Sequence, residues 1–411
     1  MKIRLKFLVL FVFFSFVFCL SFTGCSSDDD LSSGTDPSDS SDNDNDSDSD
    51  SSGKPISSYY PTGGESGLNY DSDKSATQVR LAKANSKIYA IWQEVYSDEF
   101  LHIRVAVYEE DGEWDFVTGG SVGINVDSDK LAQKPDILSL DSTLYATWIE
   151  LDGDDSYQIR VAEYNGDDTF PKWTMIDSEA EDADGNSIDG TGGLNRYSTI
   201  SMISGLDAFE PRLFTFDSKL HVTWSEEVST EGGSHRVYVY SYDSESEVWL
   251  NISNNATDDY KGFNVDSSKD ARYPSGVEFN SKLYLTWTEE GSDDVDLLQV
   301  AVYGGDDSSP GWTLLDGNSG SKGLNYSNSH SASDPQMHEF SNKLYLTWTE
   351  NTQVRVAVFN GDDNDPAWSY IENQSAGSGL TYEEDEYAIY PTLIGHSGYL
   401  YLFVVGGVAN A

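Results

Sequence analysis

Five near-copies of one eight-residue phrase, ten tryptophans spaced two to a copy, and the lack of any helical period predict an all-β fold. The expected architecture is a six-bladed β-propeller of four-stranded antiparallel blades, with the last blade closed by N- and C-terminal strands. The phrase reads KIYAIWQE at 87–94, TLYATWIE at 143–150, KLHVTWSE at 219–226, and KLYLTWTE at both 282–289 and 343–350.

Each repeat justifies four strands. It opens on a Gly-apolar-Asn phrase or its variant, starting near 67, 123, 193, 262, 323 and 379. An Ala-x-x-Pro phrase follows at 132–135, 208–211, 271–274, 332–335 and 388–391; the first repeat has Ala76 but no Pro. In the fifth repeat, QMHEF, LYLTWTE, QVRVAVF and WSYIE alternate in side-chain type and are separated by polar turns. Asn85-Ser86, Asp141-Ser142, Asp217-Ser218 and Asn280-Ser281 occupy the first hairpin, where Asn and Asp tolerate a left-handed backbone. Trp92, Trp148, Trp224, Trp287 and Trp348 fall on the second strand. Trp114, Trp173, Trp249, Trp312 and Trp368 start the fourth. Rings of that size at fixed positions read as packing between neighbouring sheets. Across the second hairpin, Arg355 is expected opposite Glu350 and Ala357 opposite Trp348, as a structural ion pair and a small residue making room for the indole. Counting strands, 56–60 (ISSYY) would supply the outer strand of the last blade and 391–405 its two inner strands.

The N-terminus is not propeller. Residues 1–24 have three cations, then the apolar run FLVLFVFFSFVFCL, then SFTGC. This resembles a bacterial lipoprotein signal with Phe22-Thr23-Gly24 before Cys25, which implies cleavage at Cys25 and lipidation of its thiol. Cys19 leaves with the signal, so no disulfide is expected in the exported chain. Residues 25–53 are then the lipidated Cys and a Ser/Asp tether. A segment with ten Asp and one Leu between 26 and 53 cannot bury a core. SSDDD directly after Cys25 resembles the acidic export signals of Bacteroidetes surface lipoproteins. That implies a lipid-anchored position on the outer membrane, exposed at the cell surface.

The propeller segment, 54–411, is also acidic: the chain has 71 Asp+Glu against 24 Lys+Arg and a net charge of −47. Such a field excludes nucleic acid as a partner. Candidate ligand-binding residues lie in the inter-repeat loops: Asn69, Asp71, Asn125, Asp127, Asn264 and Asp266. The competing reading is that these side chains stabilise their turns through backbone N–H groups. In the insertion 177–193, Asp182, Asp184, Asn186 and Asp189 place hard oxygen ligands around Gly185. The loop resembles a Ca2+ loop, and the competing reading is a solvated acidic loop. It departs from the EF-hand pattern in the place of its Gly and in lacking a terminal Glu.

No catalytic residue is named by the sequence. The six His are scattered, and no nucleophile elbow or phosphate loop occurs. Arg80, Arg212 and Arg272 fall near inner strands, where an arginine cluster would favour an enzyme. The repeats over 54–411 resemble bacterial surface lipoproteins of the Kelch/sialidase-like propeller superfamily. That resemblance implies a monomeric, membrane-anchored binding module for glycan or protein ligands. The alternatives are a glycan-active hydrolase at the channel mouth and a periplasmic assembly scaffold.

Overall fold

The computed structural model describes residues 6–10 and 68–408, less 97–99, 109–112, 119–122, 153–155, 178–192, 196–205, 229–233, 254–261, 292, 308, 316–322, 372–385 and 397. The chain divides into two units. Residues 13–61 lie wholly outside the described residues, and 1–12 with 62–411 form the unit treated below.

Five four-stranded antiparallel sheets follow one another along the chain. The first is β2 (Ala76–Ala84), β3 (Lys87–Val95), β4 (Leu101–Tyr108) and β5 (Trp114–Phe116). The second is β6 (Ala132–Leu140), β7 (Thr143–Leu151), β8 (Tyr157–Tyr164) and β9 (Trp173–Met175). The third is β10 (Ala208–Phe216), β11 (Lys219–Glu227), β12 (His235–Asp243) and β13 (Val248–Asn251). The fourth is β14 (Ala271–Phe279), β15 (Lys282–Glu290), β16 (Asp296–Tyr303) and β17 (Trp312–Leu314). The fifth is β18 (Ala332–Glu339), β19 (Leu344–Glu350), β20 (Gln353–Phe359) and β21 (Trp368–Tyr370). The first strands pack against one another in chain order, β2 on β6, then β10, β14, β18 and β22 (Glu386–His396). This is a propeller-type arrangement, with the first strand of each sheet innermost.

The last sheet differs from expectation. It joins β22 and β23 (Tyr399–Val408) to β1 (Lys6–Leu10), which runs parallel to β23 with Lys6 opposite Tyr401 and Leu10 opposite Val405. The N-terminal strand of this three-stranded sheet is 6–10, inside the segment that cleavage at Cys25 would remove, so the lipid-anchored form would keep only β22 and β23 of it; 56–60 lies outside the described residues.

The turns follow the chemistry of their residues. Asn85 and Ser86 both have positive φ (48° and 68°), as do Asp141 and Ser142 (49° and 70°) and Ser341 and Asn342 (54° and 57°). Two left-handed residues make the two-residue hairpin whose twist matches the flanking strands. The four described glycines of the Gly-apolar-Asn phrases, Gly123, Gly193, Gly262 and Gly323, are demanded by space. A Cβ on Gly123 (φ 72°) would stand 2.5 Å from Ile103 O, and one on Gly323 (φ 54°) 2.6 Å from Leu298 O.

The Ala-x-x-Pro phrase is a β-bulge. Each inner strand slips register between the second and fifth residues counted from the Ala of this phrase. The third residue is left-handed in all six sheets: Gln78, Lys134, Glu210, Tyr273, Asp334 and Tyr390 have φ between 51° and 59°. Proline, which has no N–H, is accommodated at the unpaired bulge position that follows.

Apolar clusters fill the five interfaces between successive sheets. The five second-strand tryptophans are buried to 1% exposure or less. Each contributes on the order of 4 kcal/mol of burial before entropy is counted. Fourth-strand tryptophans bind sheets at the rim: Trp173 Nε1 donates to Val117 O, Trp249 to Ile176 O and Trp312 to Ile252 O, each at 2.8 Å. The GDD turns add latches. Asp168 of the second sheet takes the Lys87 ammonium of the first at 2.7 Å, and Asp307 of the fourth takes Lys219 of the third at 2.8 Å.

One seam is uncovered. Leu144, Leu220, Leu283, Leu344 and Leu400 hold equivalent places on the second strands and are at most 2% exposed, whereas Ile88 of the first sheet is 42% exposed. Leu81 is 63% exposed, against 5–8% for Ile137, Leu213, Met337 and Leu393. On the last sheet the opposite face leaves Ile394, Tyr399 and Phe403 exposed. The first and last sheets therefore present two apolar faces of the kind that meet at every other interface.

Candidate functional site

The inter-repeat loops are built to be rigid. Asn125 Oδ1 accepts Ile103 N–H at 2.9 Å, and its Nδ2 donates to Leu101 O and Lys130 O. Asn264 does the same with Val237 N–H, His235 O and Lys269 O. Asn69 Nδ2 donates to Lys74 O. Asn195 and Asn325 make the same bonds to the preceding sheet, although no Asp-x-Asp follows them. Asn125, Asn195, Asn264 and Asn325 thus clip their loops to the third strand of the sheet before them. Asp71, Asp127 and Asp266 each accept, through Oδ1, the N–H two residues on, at 2.9–3.0 Å. These hydrogen bonds are those of the turn-stabilising alternative of the sequence reading, and each uses one of the two carboxylate oxygens. The candidate Ca2+ ligands Asp182, Asp184, Asn186 and Asp189 lie outside the described residues. Among the described residues, no three His, Cys, Asp or Glu are placed to hold a metal ion.

The repeated Glu has a partner the sequence did not reveal. Glu94, Glu150, Glu289 and Glu350 each accept the indole N–H two residues earlier and two backbone N–H groups of their own inter-repeat loop. The expected Glu–Arg register is corrected. Arg355 stands opposite Trp348 and Ala357 opposite Leu346, with Gln353 opposite Glu350. Each carboxylate takes three N–H donors, while Arg160 pairs with buried Asp177 at 3.0 Å and acts on Glu150 through its charge, and Arg104 and Arg355 lie over the rings of Tyr70 and Tyr326.

Chemistry collects instead on the inner strands, at the bulge and two residues beyond it. Arg80 of the first sheet lies 3.9 Å from Asp136 of the second. Asp136 Oδ2 accepts Leu213 N–H of the third sheet at 3.0 Å. Glu210 Oε2 accepts Tyr273 N–H of the fourth at 3.0 Å. Arg80 also feels the charges of Arg212 and of Asp334 in the fifth sheet. Glu210 feels Lys134, Asp334 and Arg272. Inner strands of five sheets thus bring three carboxyls, three arginines, a lysine and a tyrosine within electrostatic reach of one another. Removal from water raises the Glu210 carboxyl above its usual range, opposed by the Tyr273 N–H and Lys134 and reinforced by the Asp334 charge. Asp334 is raised by the same desolvation, opposed by Ser333, Arg212, Lys134 and Arg80. Tyr273 is pushed up to about 12 by burial and then by Glu210. At the edge of this group, Arg272 Nη2 lies 3.0 Å from His235 Nδ1 and 3.4 Å from Asp270 Oδ2.

A non-glycine residue held left-handed costs about 1–3 kcal/mol. Here the backbone is constant in six sheets while the side chain changes from Gln to Lys, Glu, Tyr, Asp and Tyr. A fixed frame with variable chemistry is how a repeat protein builds recognition. The residue before each Pro carried this signal in the sequence, but read as filler between Ala and Pro. Arg80, Arg212 and Arg272 were visible as an inner-strand set; their carboxylate partners were not.

No family model matches the chain, and no curated protein matches it. Solved structures similar in strand arrangement include a thermostable family-43 glycoside hydrolase, at 13% identity, 73% of this chain, 94% of that chain and TM-score 0.41. An α-L-arabinanase of Penicillium chrysogenum complexed with arabinobiose aligns at 12% identity, over 78% and 86% of the two chains, with TM-score 0.45. A protein of unknown function from Dyadobacter fermentans aligns at 9% identity, over 80% and 93%, with TM-score 0.47. None of these likenesses assigns a residue or an activity to this chain.

Proposed function

We propose that the protein is an exported, lipid-anchored six-bladed propeller whose central channel cleaves glycosidic bonds. The observation that carries this reading is the convergence of Glu210 and Asp334 with Arg80, Arg212 and Lys134 on the inner strands. Glycoside hydrolysis needs one protonated and one ionised carboxyl flanking the bond. Glu210 suits the acid. Its Oε2 is held by Tyr273 N–H, which leaves Oε1 to carry the proton, and burial keeps that proton on to higher pH. Asp334 suits the ionised partner, because three cations oppose its desolvation. Asp136, fixed by Leu213 N–H and facing Arg80, positions that arginine.

The test is release of sugar from a panel of glycans by purified 25–411, alongside Glu210→Gln and Asp334→Asn. Turnover lost in both variants supports the reading. Saturable glycan or protein binding with no turnover by the unmutated protein would replace it with a surface binding module. For the anchor, Cys25→Ala is expected to move the protein from the membrane to the soluble fraction of fractionated cells, and protease shaving of intact cells reports which face displays it.

A further inference from the structure

We propose that His235 is a proton-operated latch on Arg272. Neutral, its ring holds the guanidinium at the boundary between the third and fourth sheets. Protonated, the ring gives its hydrogen bond to Asp270 and releases the guanidinium. The inference stands whichever ligand the inner strands receive.

The ring is buried where the two sheets meet, and one of its nitrogens serves two neighbours. Arg272 Nη2 lies 3.0 Å from Nδ1 and 3.4 Å from Nε2, while Asp270 Oδ1 lies 3.3 Å from the same Nδ1. A guanidinium only donates, so Nδ1 accepts from Arg272. The ring is then neutral, with its hydrogen on Nε2 and facing Glu227 Oε1 at 3.7 Å. In that state Asp270 is kept in place by the His235 backbone N–H, which its Oδ1 accepts at 2.8 Å. A proton on Nδ1 reverses the preference. The nitrogen then donates to Asp270 Oδ1, and the imidazolium repels Arg272. The groups that face the ring are Glu227 of β11, Asp270 and Arg272 of the fourth sheet, and the uncharged Phe209 ring of β10 at 5.2 Å. The Arg272 side chain is 40% exposed, so it has solvent to move into. Tyr273, the next residue, holds Glu210 through its N–H at 3.0 Å, which places the released charge one residue from the group that fixes that carboxyl.

The repeat supplies its own control. The backbone bond is common to several sheets: Asp207 Oδ1 accepts Tyr157 N–H at 2.9 Å, and Ser331 Oγ accepts Asp296 N–H at 3.0 Å. The ring and the guanidinium are additions to it. Leu101, Tyr157, Asp296 and Gln353 stand where His235 does, and Thr77, Gln133, Phe209 and Ser333 where Arg272 does. A clip between sheets therefore needs neither side chain. Burial and then the Arg272 charge lower the ring below the ordinary 6.5, opposed by Asp270 and Glu227. Burial pushes Asp270 up, but the His235 N–H and ring, with Arg272, outweigh it and hold that carboxyl below 3.8. The ring therefore takes its proton below pH 6.5 while Asp270 is still ionised to accept the new hydrogen bond.

The test is an NMR titration of purified lipid-free 25–411 carrying isotope-labelled His and Arg, from about pH 8 to about pH 4. The Arg272 side-chain resonance is expected to shift with the same midpoint as the His235 ring. Arg272→Gln should move the His235 midpoint up, because the cation that opposes the proton is gone. Asp270→Asn should move it down, because the acceptor that favours the proton is gone. In His235→Asn the Arg272 resonance should lose its shift over the same range. An Arg272 resonance that does not follow the ring, or a His235 midpoint unchanged in Arg272→Gln, would each overturn the proposal. Arg272→Gln leaves the ring in place, so it decides the matter even where His235→Asn fails to fold. No turnover enters the readout, so the hydrolase reading and the latch fail separately.

Discussion

The indole Nε1 of Trp348 donates to Glu350 Oε2 at 2.9 Å, two residues along one strand. The same bond joins Trp92 to Glu94, Trp148 to Glu150, Trp224 to Glu226 and Trp287 to Glu289, at 2.7–3.0 Å. In four of the five repeats the structure also describes two loop N–H groups on that carboxylate. One side chain thus satisfies the buried indole and fastens the loop that leads into its own sheet. This is why the phrase ends on Glu each time.

Glu350→Ala should cost about 3–5 kcal/mol, because it strands the Trp348, Tyr326 and Ser327 N–H donors at once. Trp348→Phe, which keeps a ring but loses one donor, should cost less. Chemical denaturation of both variants checks the order. Equal costs would mean that the loop bonds contribute nothing.

The uncovered seam makes a contrast within one register. Leu144→Ala and Leu344→Ala should each destabilise by about 2–5 kcal/mol, as buried leucines do. Ile88→Ala, at the equivalent place facing the last sheet, should change stability by about 0.5 kcal/mol or less. An Ile88→Ala cost matching Leu144→Ala would show that the first and last sheets meet in solution.

Acid should weaken the fold through His221. This ring is buried, stacks on Phe214 with centroids 5.2 Å apart, and its Nδ1 faces Lys219 O at 3.2 Å. Burial lowers it from 6.5 to about 4. The unfolded chain takes up the proton first, so this contribution is whole above pH 6.5 and is lost as pH falls toward 4. It amounts to on the order of 3 kcal/mol. Melting curves across that window should fall less for His221→Asn than for the unmutated protein.

Catalysis at the channel should show two ionisations, each displaced above the usual carboxylate range. On the proposed hydrolase reading, activity should rise as Asp334 ionises and fall as Glu210 loses its proton. Glu210→Gln should lower kcat by about 10²–10⁴ with little change in KM and remove the alkaline limb of the profile. A KM effect alone would assign Glu210 to binding.

What the sequence determined by itself is the repeat: its period, its four strands, its hairpins and its two tryptophans. These are local matters. Alternation sets a strand, Asn-Ser or Asp-Ser sets a left-handed turn, and a large ring repeated at one register marks a packed face. The loop asparagines were also legible, and Asn195 and Asn325 make the same clip with no Asp-x-Asp after them. Only the tertiary structure decided the rest. Arg80, Glu210 and Asp334 stand in different repeats more than a hundred residues apart, and nothing local says that their strands share one inner edge. The partner of each Glu was hidden for a related reason. Arg, indole and loop N–H were all within reach by pattern, and the choice among them came from the register and from which donors were buried. The open seam is likewise invisible in one dimension, because Ile88 and Leu144 occupy the same position in the repeat and differ only in what stands opposite.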